Sequence, residues 1–163
     1  MEKGTIYIYA GDGRGKSPAA IGRAVQAAVD GKNVVIIQFL KGNGLGDSEF
    51  LRRMEPEIKV FRFEKSDENF EALSEEKKKE EIINIKNGIN FAKKVLTTGE
   101  CELLILDEVL GVVENGILSV EELKGLLQCR EDTGIILTGI NLSDEVCVLA
   151  DEVSRIETVK VKV

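Results

Sequence analysis

The chain has no histidine. That excludes a Ser-His or Cys-His nucleophile pair, an imidazole acid or base, and any His metal ligand. It also has no tryptophan, and so lacks the strongest cation–π and stacking platform. Its three cysteines, Cys101, Cys129 and Cys147, are odd in number and widely spaced. They fit neither a disulfide framework nor a CxxC zinc site and read as small core hydrophobes of a cytoplasmic protein. No apolar run approaches the roughly 18–20 residues of a membrane span. Met1 to Thr5 leads directly into strand-like sequence without a signal-peptide pattern. A cytoplasmic protein with no membrane partner is expected. The 22 basic residues are outnumbered by 29 acidic ones, a net charge of −7. Nucleic acid is therefore not an expected partner, because phosphate-backbone affinity needs a basic footprint.

What is present is an ordinary globular composition: 163 residues, 43% apolar and 31% charged. That is the size of one domain, residues 1–163, able to bury a core without staples. Thr5 to Tyr9 is β-branched and aromatic and predicts a strand. A glycine-rich turn, Ala10 to Ser17, precedes an alanine-rich helical pattern from Pro18 to Val29, stopped by Gly31. Val34 to Leu40 is almost continuously apolar, as in a strand buried on both faces. Lys41 to Asp47 reads as a loop, Ser48 to Met54 as a short helix and Ile58 to Phe63 as a strand. After a polar stretch, Glu64 to Leu73, an amphipathic helix is expected over Ser74 to Leu96, with Ile82, Ile85, Ile89, Ala92 and Leu96 on one face. Leu103 to Leu106 predicts a strand ending in Asp107-Glu108. Ser119 and Glu122 form a capping box for another helix. Ile135 to Thr138 predicts a strand, Ser143 to Leu149 a short helix, and Val153 to Val161 a last strand or strand pair. Strands alternate with helices, so the class is α/β with a mainly parallel sheet.

Ala10-Gly11-Asp12-Gly13-Arg14-Gly15-Lys16-Ser17 lies between a strand and a helix, the setting a phosphate-binding P-loop requires. Glycines let successive backbone N–H groups turn inward, and the helix adds its N-terminal dipole. Lys16 offers a charge to terminal phosphates and Ser17 a hydroxyl to Mg²⁺. Pro18 suits the first helical turn, where its missing N–H costs nothing. The strict G-x-x-x-x-G-K-[ST] pattern has Ala10 at its first glycine. Leu103 to Glu108 has the Walker B form, a buried strand ending in carboxylates that orient Mg²⁺ or its waters. Leu137-Thr138-Gly139 is another strand end on the carboxyl edge, where open α/β sheets bind ligands.

In order along the chain, Gly11 to Ser17, Ala19-Ala20, Gly31-Lys32-Asn33-Val34 and Gln38-Phe39-Leu40-Lys41-Gly42 resemble landmarks of the P-loop type of ATP:corrinoid adenosyltransferase. Leu106-Asp107-Glu108, Gly116-Ile117-Leu118, Leu137-Thr138-Gly139 and Leu149-Ala150-Asp151-Glu152-Val153 continue the match. These enzymes act on cob(I)alamin or cob(I)yrinic acid a,c-diamide. The resemblance implies a three-layer, RecA-like P-loop fold, Mg²⁺ with ATP, a corrinoid co-substrate, a homodimer and an electron-donor flavoprotein. It implies that cobalt(I) attacks C5′ of ATP and that triphosphate leaves, with ATP reversed in the loop relative to ordinary NTPases. Gly11, Asp12, Gly13, Arg14, Gly15, Lys16, Ser17 and Pro18 would hold the triphosphate, with Lys16 and Glu108 as the catalytic pair. Ser17 and Glu108, assisted by Asp107, would take the metal. Phe70 and Lys41 would face the corrinoid.

The sequence departs from the family at several points. Ile140 stands where an arginine is usual, and Gln26 where arginine is common, with Arg23 one turn earlier. Phe70-Glu71-Ala72 lacks the family's tryptophan. The last residues, Val159 to Val163, differ from the family's V-K-H tail. A P-loop protein that binds or hydrolyses nucleotide without corrinoid chemistry, and a non-catalytic carrier, stay open on sequence grounds.

Overall fold

The protein, seen in a computed structural model, is described for residues 2–40, 52–63 and 68–162. The expected loop over Lys41 to Asp47, most of the helix over Ser48 to Met54 and residues 64–67 lie outside the described residues.

The described strands are β1 (Ile6–Ala10), β2 (Val34–Gln38), β3 (Ile58–Arg62), β4 (Leu103–Asp107), β5 (Gly134–Gly139) and β6 (Glu152–Arg155). They form one sheet in the order β3-β2-β4-β5-β1-β6, every pair parallel. The apolar runs predict this: β2 is buried at every position, which only a central strand covered on both faces allows. Helix α1 (Lys16–Val29) covers one face, packing Ala20 and Ala24 on Val34, Ile36, Ile105 and Ile136. The other face takes α2 (Glu75–Thr98), α3 (Val109–Glu114), α4 (Val120–Gln128) and α5 (Asp144–Cys147). There Ile85, Ala92, Leu110, Leu123 and Val146 meet Ile8, Ile37, Leu104, Leu106 and Leu137. Strand residues alternate between the two clusters, as the period of two requires. The result is the expected three-layer α/β sandwich.

Helix ends follow the sequence signals. Ser74 caps α2 and Ser143 caps α5, and Ser119 with Glu122 closes the capping box of α4. Two elements differ from expectation. Helix α3 starts directly after the Asp-Glu pair, from a left-handed Glu108 rather than from a capping residue, so it carries no sequence start signal. The last strand ends at Arg155 and does not run to Val161. Its partner β1 ends at Ala10; the Ile156 N–H still bonds the Ala10 carbonyl at 2.7 Å, and the chain then turns over the glycine loop.

Candidate active site

All strands are parallel, so Ala10, Gln38, Asp107 and Gly139 end on one edge of the sheet. The segment from Gly11 to Gly15 joins β1 to α1 there. Helix α1 is built differently from α2, α4 and α5. Its N-cap is Gly15, no side chain caps it, and its first turn holds no acidic residue. The other three have serine caps and acidic first turns. The first intrahelical bond runs from the Ala19 N–H to the Gly15 carbonyl at 2.8 Å. The N-terminal end of α1 thus presents positive dipole without a resident acid, which suits an anion.

Several of the loop's N–H groups bond within the protein. The Gly11 N–H donates to the Gly139 and Ile140 carbonyls, each at 3.1 Å. The Gly13 N–H donates to the Ile156 carbonyl at 2.9 Å, and the Arg14 N–H to Thr158 Oγ1 at 3.0 Å. Part of the loop's glycine content therefore serves the protein itself: a Cβ on Gly13 would stand 2.6 Å from the Ile156 carbonyl oxygen. Asp12 and Arg14 are exposed at the rim, and Pro18 lies exposed in the first helical turn.

Lys16 Nζ lies 3.7 Å from Glu108 Oε1, both side chains mostly buried. The Ser17 hydroxyl donates to Asp107 Oδ1 at 2.9 Å. The same oxygen accepts from the Thr138 hydroxyl at 2.6 Å, and Thr138 Oγ1 accepts the Glu108 N–H at 2.8 Å. A chain of hydroxyls and carboxylates thus links the loop to the ends of β4 and β5. Asp107 is the carboxylate that meets Ser17, and Glu108 meets Lys16. Glu108 has φ 64 and ψ 18, left-handed for a residue with a side chain. Such strain persists only where the surroundings hold it, and it concentrates at functional sites.

Thr138 and Gln38 also border the site, although in the sequence they stand only as strand-end residues. Gln38 pairs with Asp107 in the β2–β4 register and donates from Nε2 to Asp107 Oδ2 at 3.4 Å. Phe70 begins a 3₁₀ turn, Phe70–Ala72, packs against the core and has Lys78 Nζ 5.8 Å from its ring centre; Glu71 is exposed. That turn lies between the end of β3 and the start of α2, so topology puts it toward the loop's edge of the sheet. Lys41 lies outside the described residues. Arg23 is turned away from the loop: its guanidinium stacks 4.5 Å from the Tyr7 ring centre and reaches the Tyr9 hydroxyl at 3.4 Å. It lines an open cavity of about 480 Å³ at the opposite sheet edge, with Gly4, Leu103 and Gly134. A smaller cavity of about 180 Å³ flanks the loop between Gly11, Asp12, Ile140 and Arg155. Neither cavity is lined by Lys16, Ser17, Asp107, Glu108 or Thr138.

The donors at Ser17, Asp107, Glu108 and Thr138 are all oxygens, the type a hard cation such as Mg²⁺ takes. Among the described residues no three His, Cys, Asp or Glu side chains converge on a metal position. A metal here would draw its remaining ligands from phosphate and water, which is how Mg²⁺ accompanies nucleotides.

Sheet order, loop and Walker B strand define a P-loop α/β protein. The family model described as ATP:corrinoid adenosyltransferase BtuR/CobO/CobP matches residues 2–163, and the chain belongs to that family. The corrinoid adenosyltransferase CobA of Salmonella typhimurium is 29% identical over 160 residues, covering 98% of this chain and 79% of the relative. The corrinoid adenosyltransferase of Escherichia coli K12 gives the same identity and coverage. That of Pseudomonas aeruginosa is 26% identical over 161 residues, covering 98% of this chain and 77% of its own length.

Proposed function

We propose that this chain transfers the 5′-deoxyadenosyl group of ATP to the cobalt(I) of a corrinoid, with release of triphosphate. The observation that carries the reading is the joining of loop and Walker B strand, Lys16 to Glu108 and Ser17 to Asp107, in a chain that matches the family end to end. The electron pair of cobalt(I) forms the bond to C5′, and the C5′–O5′ electrons leave with triphosphate. The nucleophile carries no proton, so no general base is required, and the absence of histidine is no obstacle.

The residues' work is positioning and charge stabilisation. The open N-terminus of α1, with Gly11 to Pro18 around it, cradles the triphosphate. Lys16, held by Glu108 in the free protein, swings to the phosphates and neutralises charge developing on the leaving group. Ser17, Asp107 and Glu108 supply oxygens for Mg²⁺, whose contribution when bound is further charge neutralisation on the phosphates. Thr138 holds Asp107 and the Glu108 backbone in place. Phe70 and Lys41 belong to the corrinoid side. A homodimer and an electron-donating flavoprotein as partners complete the reading. Nucleotide hydrolysis without a corrinoid is the weaker alternative, because the family match extends through the whole chain.

Calorimetry with Lys16→Ala tests the nucleotide half. A charge-assisted phosphate contact is worth about 1.5–3 kcal/mol, so ATP affinity falls roughly tenfold or more. Unchanged ATP binding would remove Lys16 from the site.

A further inference from the structure

Gln38 is the only polar residue of β2, at the C-terminal end of a strand otherwise made of valine and isoleucine. It is 1% exposed and its neighbour Asp107 is 3% exposed. Its Nε2 donates to Asp107 Oδ2, the carboxylate oxygen that neither the Ser17 nor the Thr138 hydroxyl occupies. Turning the amide over would set Oε1 against a carboxylate oxygen, acceptor against acceptor, so the donor must face Asp107. Oε1 is thereby committed to the other side, where it is buried without a hydrogen-bond partner among the described residues. A buried acceptor left unpaired loses its water and gains nothing in return, and most such atoms in folded proteins have a partner.

We propose that Gln38 is a positioning residue whose Oε1 accepts a hydrogen bond from a water on the nucleotide's divalent cation, while its Nε2 fixes Asp107. The inference rests on the reading that metal-bound ATP occupies the loop. The chemistry of the pair supports it. Mg²⁺ bound through phosphates and one or two side chains keeps several waters. A metal-bound water spends its lone pair on the cation and offers only donors, which is what a lone carbonyl oxygen needs. A neutral amide also accepts that bond without drawing the proton away. It orders the water and does not turn it into a nucleophile against the phosphates, which suits a reaction in which triphosphate must leave whole.

The test compares the wild-type protein and Gln38→Met in calorimetric titrations with ATP, with and without Mn²⁺. The electron paramagnetic resonance spectrum of bound Mn²⁺ in ¹⁷O-enriched water is read alongside. Methionine keeps the length and removes both polar atoms. The expected result is that Gln38→Met binds metal-free ATP as the wild type does. It loses about three- to tenfold of the gain that Mn²⁺ gives, the scale of one hydrogen bond. Its bound-Mn²⁺ spectrum differs from that of the wild type. If Gln38→Met keeps the full gain and the wild-type spectrum, the proposal is overturned. If it loses metal-free ATP binding to the same degree, the role is merely structural and the proposal also fails. Failure of the wild-type protein itself to bind Mn-ATP would overturn the wider reading of the loop, and the inference with it.

Discussion

At the scale of single residues, the site depends on which partner each charged or polar atom takes. Lys16 and Glu108 neutralise each other across 3.7 Å, so the lysine is held near the loop before a nucleotide arrives. Among the described residues, Asp107 is held from three sides, by Ser17, Thr138 and Gln38. Two of those three holders were visible in the sequence only as strand-end letters. Ser17 belongs to a motif with its own chemistry, whereas Thr138 and Gln38 acquire meaning only when the parallel register puts β2, β4 and β5 side by side. The cysteines give a separate residue-scale prediction. Burial pushes the Cys101 thiol up to about 12. In the unfolded chain it ionises near its ordinary value of about 8.5. Its contribution to stability is therefore complete below that value and is lost as the pH rises toward 12. At pH 9 the native protein should leave Cys101 unalkylated by iodoacetamide, and denaturant should expose it to labelling, as mass spectrometry would report. Native labelling at the rate of a free thiol would contradict its place in the core.

At the scale of elements, strands and capped helices were legible and the joints between elements were not. Continuous apolar runs identify β2, β4 and β5 because a strand buried on both faces cannot afford polar alternation. The serines at 74, 119 and 143 each mark a helix start because their hydroxyls accept an N–H of the first turn. Helix α3 carries no sequence signal because Glu108 turns the chain by backbone strain, which leaves no signature in the residue types. The end of β6 is not legible in the sequence because Val159 and Val161 keep the strand alternation after β1 has run out of backbone to pair. One joint is testable. A Cβ on Gly139 would land on the side chain of Leu110, which packs α3 against the tip of β5. The Gly139 carbonyl also accepts the Gly11 N–H of the loop. Gly139→Ala should therefore cost about 1–3 kcal/mol of stability, the price of overpacking a close contact. It should lower the Tm by several degrees and weaken ATP binding, because α3 begins beside Glu108. A variant that melts and binds ATP like the wild type would show that α3 yields freely at this joint.

At the scale of the whole molecule, the two halves of the reaction are unevenly represented. In the proposed reading, the nucleotide side joins Lys16 to Glu108 and Ser17 to Asp107, while the corrinoid side has Phe70 in a chain without tryptophan. Beside Phe70 stands Glu71, exposed and carboxylate-bearing, a poor wall for excluding an axial ligand from cobalt. Cobalt(I) prefers four coordination and needs no such wall, whereas cobalt(II) is harder to reduce while an axial ligand stays bound. We expect chemically reduced corrinoid to be adenosylated far faster than cobalt(II) corrinoid supplied with a flavoprotein donor, product being counted per enzyme. Equal rates from the two starting states would show that Phe70 or another group supplies the wall.

The central claim, that the loop joined to Asp107 and Glu108 serves alkyl transfer rather than hydrolysis, is tested most directly by the fate of the phosphate chain. Wild-type protein is incubated anaerobically with ATP, Mg²⁺ and excess cobalt(I) corrinoid. Phosphorus NMR then follows the nucleotide while the visible spectrum follows the cobalt–carbon bond. The prediction is inorganic triphosphate appearing in step with the alkylated corrinoid, with no ADP. ADP and phosphate without a cobalt–carbon product would contradict it and identify the site as that of a nucleotide hydrolase.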